Sequence, residues 1–343
     1  MYKVTLSMPI YNVAAYVECA LLSALNQTFE SIEFLLVDDR GTDNSMNIVR
    51  RIIKEHPRGK DVRIIEHPHN IGVGAARNTA IDNAQGEYLF FMDSDDEITP
   101  DCIQVLYDKM MEEKVDMVVG SYIRVSKEKK PLAEKIYKDV VLRGSKKIQI
   151  NQYNVKNRFE NAIYFPLWNK MYNLSVLKEL NIRCIPNQLN EDIMFTTSCV
   201  LILNSCAFVS KPTYMYYEIE NSSTDNLKKN FSKKYADQFV EIINFHKKCL
   251  KRIKNESIYY DYYRWSLEYM IVYIKHYING DFSNEEKKKY LFAIKKDFPI
   301  SIKAMTKGKV FFYRIFISLP LKLQKMILNI HDKSHFMKVC FIY

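Results

Sequence analysis

The sequence contains little glycine and proline, with 9 and 10 residues respectively in a chain of 343. Collagen-like and low-complexity chains need far more of both, so these classes are excluded. Hydrophobic residues make up 48% of the chain, which excludes a disordered protein, because disordered chains contain too few apolar residues to form a core. At about 150 residues per domain, the length predicts two domains, or one large domain with an appendage.

The seven cysteines are scattered along the chain and include no Cys-x-x-Cys pair. Zinc sites and the disulfide frameworks of small secreted domains show paired cysteine spacings, so neither is predicted. We therefore expect reduced thiols, as in a protein of the cytosol.

Long apolar runs are also missing. The longest, Val310 to Leu321, is interrupted by Arg314 and Pro320, and it is shorter than the roughly 18 apolar residues that a membrane-spanning helix needs. The first ten residues lack the charged and apolar regions of a signal peptide and have the pattern of a strand. These features predict a cytoplasmic protein, either soluble or peripheral on the inner face of the cell membrane.

The formal net charge of +10 is unevenly distributed. Residues 1–225 carry 26 Lys and Arg against 30 Asp and Glu, a net charge of −4. Residues 226–343 carry 24 against 10, a net charge of +14. Because strand patterns also stop near residue 226, we predict a folded domain at 1–225 and a basic helical region at 226–343.

Strand and helix patterns alternate in the first part of the chain. The predicted strands are Val4–Ile10, Ile32–Val37, Val62–Glu66, Glu87–Met92 and Asp116–Arg124, and the predicted helices are Val13–Asn26, Met46–Lys54, Gly74–Asn83 and Cys102–Lys114. This alternation predicts an α/β fold with a mostly parallel, Rossmann-like sheet and helices on both faces. We expect an exposed excursion at Lys127–Lys147, and expect Tyr164–Leu177 and Asn190–Leu203 to return to the sheet.

Carboxylates gather directly after the strand that ends near Met92, in the run Asp93-Ser94-Asp95-Asp96. Asp93 and Asp95, two positions apart, can both reach a shared ligand where the strand gives way to a turn. Such a pair is a hard-oxygen site suited to Mg²⁺ or Mn²⁺. The alternative is an Asp-rich turn or a helix N-cap.

Two further segments place polar residues beside strand ends. Asp39 follows an apolar strand and offers a carboxylate for a base N–H or a ribose hydroxyl, whereas Asp43 and Thr42 suit helix capping equally well. The glycine-containing run around Gly72 lacks the third glycine and the Lys-Ser/Thr of phosphate-binding loops. It reads as a turn into a helix whose Arg77 either pairs with a phosphate, orients an aspartate, or lies on the surface.

The last acidic pair is Glu191-Asp192, which opens an apolar stretch. A carboxylate within hydrogen-bond reach of a sugar hydroxyl is a suitable general base. The alternative is a helix N-terminus, where the helix dipole favours acidic residues.

Taken together, these motifs resemble family 2 glycosyltransferases with the GT-A fold, and the likeness covers roughly residues 3 to 225. The matching segments, in the family's order, are Pro9-Ile-Tyr11-Asn12, Gln27-Thr28, Val37-Asp38-Asp39, Asn70-x-Gly72-x-x-x-Ala76-Arg77-Asn78, Asp93-Ser94-Asp95-Asp96, Trp168-Asn169-Lys170-x-Tyr172 and Glu191-Asp192. Two departures stand out. The turn after Asp39 reads Arg40-Gly-Thr-Asp43, and the segment at 216–223 lacks the arginine that many relatives place before its serine.

The resemblance implies roles for the site residues. Pro9 and Tyr11 would flank the nucleoside of a nucleotide-sugar donor, and Asp39 would read its base. Asp95 would bind Mn²⁺ or Mg²⁺, with Asp93 towards the ribose or the donor sugar. Arg77 and Asp192 complete the predicted site, since Arg77 would face the donor and Asp192 would act as the catalytic base beside Glu191.

The activity implied is that of an inverting hexosyl- or N-acetylhexosaminyl-transferase. The expected donor is a UDP-sugar, and the expected acceptor is a glycan or a lipid-linked hydroxyl in the synthesis of bacterial cell-surface polysaccharide. Two alternatives are a nucleotidyltransferase of similar fold and a non-catalytic protein that binds membranes through its basic tail. The first would need a glycine-rich loop after the first strand, and the second leaves the acidic strand ends unexplained.

The basic tail has its own amphipathic pattern. After Pro320, apolar residues recur at helical spacing at Leu323, Met326, Ile327 and Ile330, while Lys322, Lys325, Asn329 and Lys333 fall on the other side. A stretch of this kind can lie at the interface of an anionic bilayer. The alternative is a helical cap on the catalytic domain. Nucleic-acid binding is not expected, because the sequence contains no recognised nucleic-acid module.

Overall fold

The structure is a computed structural model. It describes residues 2–148, 163, 165–186, 190–218, 231–302, 306 and 308–331. The chain divides into two compact units, Met1–Ile219 and Glu220–Tyr343. The predicted domain boundary near residue 225 lies outside the described residues and stays a prediction.

The first unit is built on a ten-stranded mixed sheet, with strand order β3-β2-β1-β4-β9-β6-β10-β5, where β7 pairs with β6 and β8 with β10. The strands are β1 Val4–Ile10, β2 Ile32–Asp38, β3 Val62–Glu66, β4 Tyr88–Phe91, β5 Glu97–Ile98, β6 Met117–Val125, β7 Pro131–Lys135, β8 Val141–Arg143, β9 Lys170–Asn173 and β10 Ser205–Tyr217. β1, β2, β3 and β4 run parallel, as the alternating pattern predicts. β9 is antiparallel to both of its neighbours, so the whole sheet is mixed.

Helices lie between the strands along the chain. They are α1 Val17–Leu25, α2 Ser45–Glu55, α3 Val73–Asn83, α4 Cys102–Glu113, α5 Leu174–Glu179 and α6 Glu191–Ile202. The central strands that these helices cover are buried; in β2, for example, all seven residues are buried, including Glu33 and Asp38. Burial on both faces is what a parallel sheet between helix layers requires.

Three segments differ from the sequence-based expectation. The polar stretch after Lys127 contributes β7 and β8 to the sheet, so it is only in part an exposed excursion. Residues 191–202 form the helix α6, so the expected return of Asn190–Leu203 to the sheet is wrong. The long strand β10 was not predicted, because Lys211 and Pro212 interrupt its apolar pattern. The pairing of β10 with β6 is irregular at Pro212, as expected for a residue without an N–H.

The second unit is helical throughout its described residues, as the pattern beyond residue 226 predicts. Its helices are α7 Lys233–Arg252, α8 Glu256–Asn279, α9 Asn284–Lys295, α10 Gly308–Ser318 and α11 Leu321–His331. α8 packs against the other four. Aromatic rings fill the contacts; Phe239 of α7, for instance, stacks on Tyr273 of α8 with ring centroids 3.9 Å apart. Within the described ranges, no helix is both long and apolar enough to cross a bilayer.

Candidate functional site

The carboxyl ends of β1, β2 and β4 meet at one edge of the sheet, because these three strands are parallel. Pro9 lies beside Val37 in the register, so Tyr11 and Asp39 follow the ends of two neighbouring strands. Asp93 follows the end of β4. Open α/β sheets bind ligands at such an edge. The structure therefore gathers these predicted residues on one side of the first unit, and Tyr11 is exposed there.

Asp39 is buried and holds the loop that leads into α3. Its Oδ1 lies 2.7 Å from Nδ1 of His67 and accepts the N–H of Ile71 at 2.9 Å. Its Oδ2 accepts the N–H of Gly72, also at 2.9 Å. Because these contacts fix the loop, Asp39 has a structural task in addition to the base recognition that the resemblance implies.

The turn after β4 is the strongest candidate for a metal site. Asp93, Asp95 and Asp96 each offer a carboxylate oxygen, and the three oxygens lie within 4.8 Å of one another. Burial and the charge of Asp93 raise the pKa of Asp95 to about 6. A divalent cation would relieve this repulsion, and an all-carboxylate set suits Mg²⁺ or Mn²⁺. The residues present therefore fit a hard divalent cation.

Asp96 differs from its two neighbours in being fully engaged by the protein. Its Oδ2 accepts the hydroxyl of Tyr214 at 2.7 Å and its Oδ1 accepts the N–H of Tyr217 at 2.9 Å. Burial and the charges of Asp95 and Asp93 raise the pKa of Asp96 well above its usual range. Asp93 and Asp95 are thus the better candidates for ligands.

Arg77 connects this turn to the acidic pair on α6. Its guanidinium donates to Asp93 Oδ1 at 2.8 Å and also to Glu191 Oε1, and it is buried. Burial by itself lowers the pKa of an arginine, but the charges of Asp93 and Glu191 outweigh it and raise the pKa of Arg77. Of the alternatives drawn from the sequence, the structure supports the orientation of an aspartate, and the surface position is wrong.

Glu191 and Asp192 open α6 with different environments. Glu191 is buried against Arg77, and burial raises its pKa to about 7 against the opposing effect of Arg77. Asp192 is more exposed, and its Oδ1 accepts the N–H of Ile193 at 2.7 Å. Burial raises the pKa of Asp192 as well. A carboxylate with a raised pKa is a better proton acceptor than an ordinary surface aspartate.

Two glycines let α3 enter the site. Gly72 adopts a φ of 91°, which residues with a side chain rarely adopt. A Cβ on Gly74 would lie 2.7 Å from the carbonyl oxygen of Ile185 and 3.3 Å from Cγ of Glu191. Gly74 therefore permits the close approach that brings Arg77 to Glu191.

The model of the family described as "Glycosyl transferase family 2" matches residues 5–180, just over half of the chain. The chain belongs to glycosyl transferase family 2. This membership confirms the resemblance drawn from the motifs. The glycosyltransferase GlyA of Streptococcus pneumoniae is 30% identical over 223 residues, which are 62% of this chain and 30% of that relative. The chain thus spans less than a third of the length of GlyA.

Two solved structures share the fold. TarS residues 1–349 of S. aureus, in complex with UDP-GlcNAc, superpose with a TM-score of 0.62 at 19% identity, covering 87% of this chain and 82% of that one. The mannosyltransferase PcManGT of Pyrobaculum calidifontis, in complex with GDP-Man and Mn²⁺, gives a TM-score of 0.52 at 16% identity, covering 97% and 89%. These likenesses confirm the α/β GT-A fold.

In this family 2 chain, the sequence motifs identified the acidic residues and Arg77 but missed their supports. His67 contacts Asp39 and Thr79 with its two ring nitrogens, at 2.7 and 2.8 Å. Tyr214 bonds Asp96 from β10, a strand that the pattern did not predict. No signal in the sequence pointed to either residue. Residues 219–223, part of the segment that lacks the arginine found in many relatives, lie outside the described residues.

Proposed function

We propose that this chain is a metal-dependent, inverting glycosyltransferase. The donor would be a nucleotide-diphosphate sugar, specifically a UDP-sugar, and the transferred group a hexose or an N-acetylhexosamine. The acceptor would be a hydroxyl of a glycan or a lipid-linked sugar in cell-surface polysaccharide synthesis. The observation that carries the proposal is Arg77, which joins the carboxylate turn at Asp93 to the acidic pair at Glu191.

The donor end of the reaction belongs to the turn. Asp95 and Asp93 would hold Mn²⁺ or Mg²⁺, which when bound neutralises charge on the departing nucleoside diphosphate. The TarS complex with UDP-GlcNAc and the PcManGT complex with GDP-Man and Mn²⁺ support a donor of this class. Pro9, Tyr11 and Asp39 would contact the nucleoside, since they lie at the same edge of the sheet.

The acceptor end belongs to Asp192. Its carboxylate would take the proton of the acceptor hydroxyl while that oxygen attacks the anomeric carbon. The bond between the anomeric carbon and the diphosphate oxygen breaks in the same displacement, so the configuration inverts and the nucleoside diphosphate leaves with the bonding electrons. The contacts of Asp192 and Glu191 favour this assignment, because Glu191 is already paired with Arg77.

The test is sugar transfer and donor hydrolysis across a panel of nucleotide sugars with Mn²⁺ or Mg²⁺. We expect Asp192→Asn to abolish transfer while donor binding survives, and Asp95→Ala to remove metal-dependent donor binding. Asp82→Asn is the matched control, because Asp82 is an exposed aspartate that pairs with Arg183 on the surface. Near-normal turnover of Asp192→Asn would exclude Asp192 as the base. Donor affinity of Asp95→Ala that equals that of the wild type, and that a chelator still lowers, would exclude the metal role.

For the second unit we propose peripheral contact with an anionic bilayer at the cytoplasmic face of the cell membrane. The basis is an outer face, which we define as Phe311, Phe312, Ile315, Leu323 and Met326, all exposed on α10 and α11. These helices turn other residues inward, among them Val310, Ile317, Gln324 and Leu328. Exposed apolar groups in a region of net charge +14 suit an interface with anionic lipids better than bulk water.

The cysteines agree with the compartment proposed. Six of them are free thiols: Cys19, Cys102, Cys184, Cys199, Cys206 and Cys249. Free thiols persist in reducing compartments such as the cytosol.

A further inference from the structure

The hydroxyl of Tyr214 is bonded to both ends of the turn that carries the acidic residues. It donates to Oδ2 of Asp96 at 2.7 Å and accepts the N–H of Asp93 at 3.2 Å. A phenolic hydroxyl can donate one hydrogen bond and accept another, so both contacts form together. The turn is therefore closed by one atom that belongs to β10.

A second hydrogen bond from β10 fixes the end of the turn at Asp96. The N–H of Tyr217 donates to Oδ1 of Asp96 at 2.9 Å. Both oxygens of Asp96 are thus engaged by β10, whereas Asp93 and Asp95 present their carboxylates next to each other.

The ring of Tyr214 is itself fixed by packing. It stacks on Trp168 with ring centroids 4.5 Å apart and planes inclined by 9°. Trp168 in turn packs edge-on against Tyr122 of β6, at 5.0 Å and 90°. The neighbouring Asn169 accepts a hydrogen bond from the hydroxyl of Thr213 in β10 at 2.9 Å and donates to the carbonyl of Ser121 at 2.9 Å. The Trp168-Asn169 segment, whose purpose the sequence leaves open, anchors the strand that holds the turn.

We propose that Tyr214 is a positioning residue that keeps the carboxylates of Asp93 and Asp95 at the separation a divalent cation requires. The proposal rests on the proposed function. Like charges at Asp93 and Asp95 repel each other and would open an untethered turn. A turn already held in its binding geometry loses less conformational entropy when the cation and the donor bind, so affinity is higher.

The first test is Tyr214→Phe, which keeps the ring and removes the hydroxyl. Hydrogen–deuterium exchange of the peptide covering residues 92–97 needs no ligand, and we expect it to speed up by about tenfold, because the N–H of Asp93 loses its acceptor. Unchanged exchange in this peptide would overturn the inference.

The second readout is Mn²⁺ affinity in the presence of UDP, followed by the electron paramagnetic resonance signal of free Mn²⁺. We expect binding to weaken by about tenfold, the usual effect of losing one buried hydrogen bond. In steady-state assays the KM for the donor would rise, while the KM for the acceptor stays. Faster exchange with wild-type Mn²⁺ affinity would overturn the positioning role.

Tyr277→Phe is the matched control. Tyr277 is as buried as Tyr214, and its hydroxyl donates to the carbonyl of Ala236 in the second unit at 2.7 Å. It should lose comparable stability and leave Mn²⁺ affinity unchanged. Asp96→Asn should also weaken Mn²⁺ affinity, because it changes the contact between Asp96 and Tyr214 from the other side.

Failure of the proposed function would look different. If the wild-type protein binds neither Mn²⁺ nor UDP, the donor site fails and the positioning role fails with it. If the wild-type protein binds both and Tyr214→Phe binds them equally well, only the inference about Tyr214 fails.

Discussion

The two units of this chain differ in the groups that they place at the surfaces proposed for function. The first unit buries charged groups at its candidate site, where Arg77 lies between Asp93 and Glu191. The second unit packs aromatic rings inside and leaves apolar side chains of its outer face exposed in a strongly basic region. Charge that is buried and paired suits orientation of reacting groups, whereas charge at the surface beside exposed apolar groups suits a bilayer.

The largest effect is expected from Arg77→Met. The substitution would leave Asp93 and Glu191 without their shared cation, and breaking a buried ion pair from one side costs about 3–5 kcal/mol of unfolding free energy. Transfer activity should also be lost. Unfolding in urea can be followed by Trp168 fluorescence in a Trp265→Phe background, because the chain has two tryptophans and Trp168 lies in the first unit.

Arg183→Met is the control for this prediction. Arg183 forms a surface pair with Asp82, whose side chain is 59% exposed, and such pairs contribute about 1 kcal/mol or less. If Arg77→Met and Arg183→Met lower the unfolding free energy by the same amount, the buried ion pairs of Arg77 contribute no more than a surface pair. The contrast between the units would then disappear.

The next effect concerns the outer face of the second unit. Replacing Phe311, Phe312 and Ile315 by serine removes exposed apolar groups without touching the inward-facing Val310 and Ile317. We expect flotation with vesicles of anionic lipid to fall by about tenfold or more, since burial of each aromatic side chain contributes on the order of 2 kcal/mol. Hydrolysis of the donor in solution should be unchanged.

Vesicles of neutral lipid are the control for the charge. Flotation with them should be weak for both proteins, because attraction between the basic region and the lipid head groups is then missing. If the serine variant floats with anionic vesicles as the wild type does, the outer face is not the membrane contact, and the helical cap becomes the better explanation.

The sequence predicts the parallel half of the sheet well. β1, β2, β3 and β4 are rich in apolar residues between helical patterns, and their bounds differ from the prediction by at most one residue at each end. The prediction does not include β10, because Lys211 and Pro212 interrupt its apolar pattern. Its place in the sheet also depends on pairing with β6, which is distant in the sequence. Local sequence patterns indicate that a segment is buried, but they do not indicate which distant strand pairs with it.

The site was predicted unevenly for a related reason. Residues with reactive groups stand out in the sequence, and Arg77, Asp93 and Glu191 are joined in the structure. The supports do not stand out: Tyr214 and His67 act through one hydroxyl and one ring, and nothing in their neighbourhood along the chain distinguishes them from ordinary core residues.

In the second unit, an amphipathic pattern does not decide which face of a helix packs against the protein. Leu323 and Met326 look like the packing side of α11, yet both are exposed, while Gln324 and Leu328 are buried. Gln324 donates to the carbonyls of Phe316 and Ile317 at 2.9 and 3.2 Å, which satisfies the NH₂ group of its buried amide, whereas its Oε1 has no partner among the described residues. Polar residues that satisfy backbone groups at a helix junction can replace apolar ones there.

The last test of the contrast between the units is the pH dependence of Lys170→Met. Burial lowers the pKa of Lys170 to about 7, far below the value of about 10.4 expected in the unfolded chain. Between these two values the unfolded state binds a proton that the folded state does not. Stability of the wild type therefore gains up to about 1.4 kcal/mol per pH unit from this group as the pH rises.

Lys170→Met has no titratable side chain at this position, so it avoids the cost of losing a proton on folding. Its unfolding free energy should exceed that of the wild type most strongly near pH 7, and the difference should shrink towards pH 9.5. The measurement is the urea midpoint reported by Trp168 at several pH values, again in the Trp265→Phe background. The control is His246→Phe in the second unit. Burial lowers the pKa of His246 to about 3, so this histidine is neutral in both states above pH 7.5, and replacing it should leave the pH slope unaltered. If the difference in unfolding free energy between Lys170→Met and the wild type is the same at every pH, Lys170 stays charged in the folded protein. The first unit would then contain a buried cation that has no carboxylate partner among its contacts in the described residues.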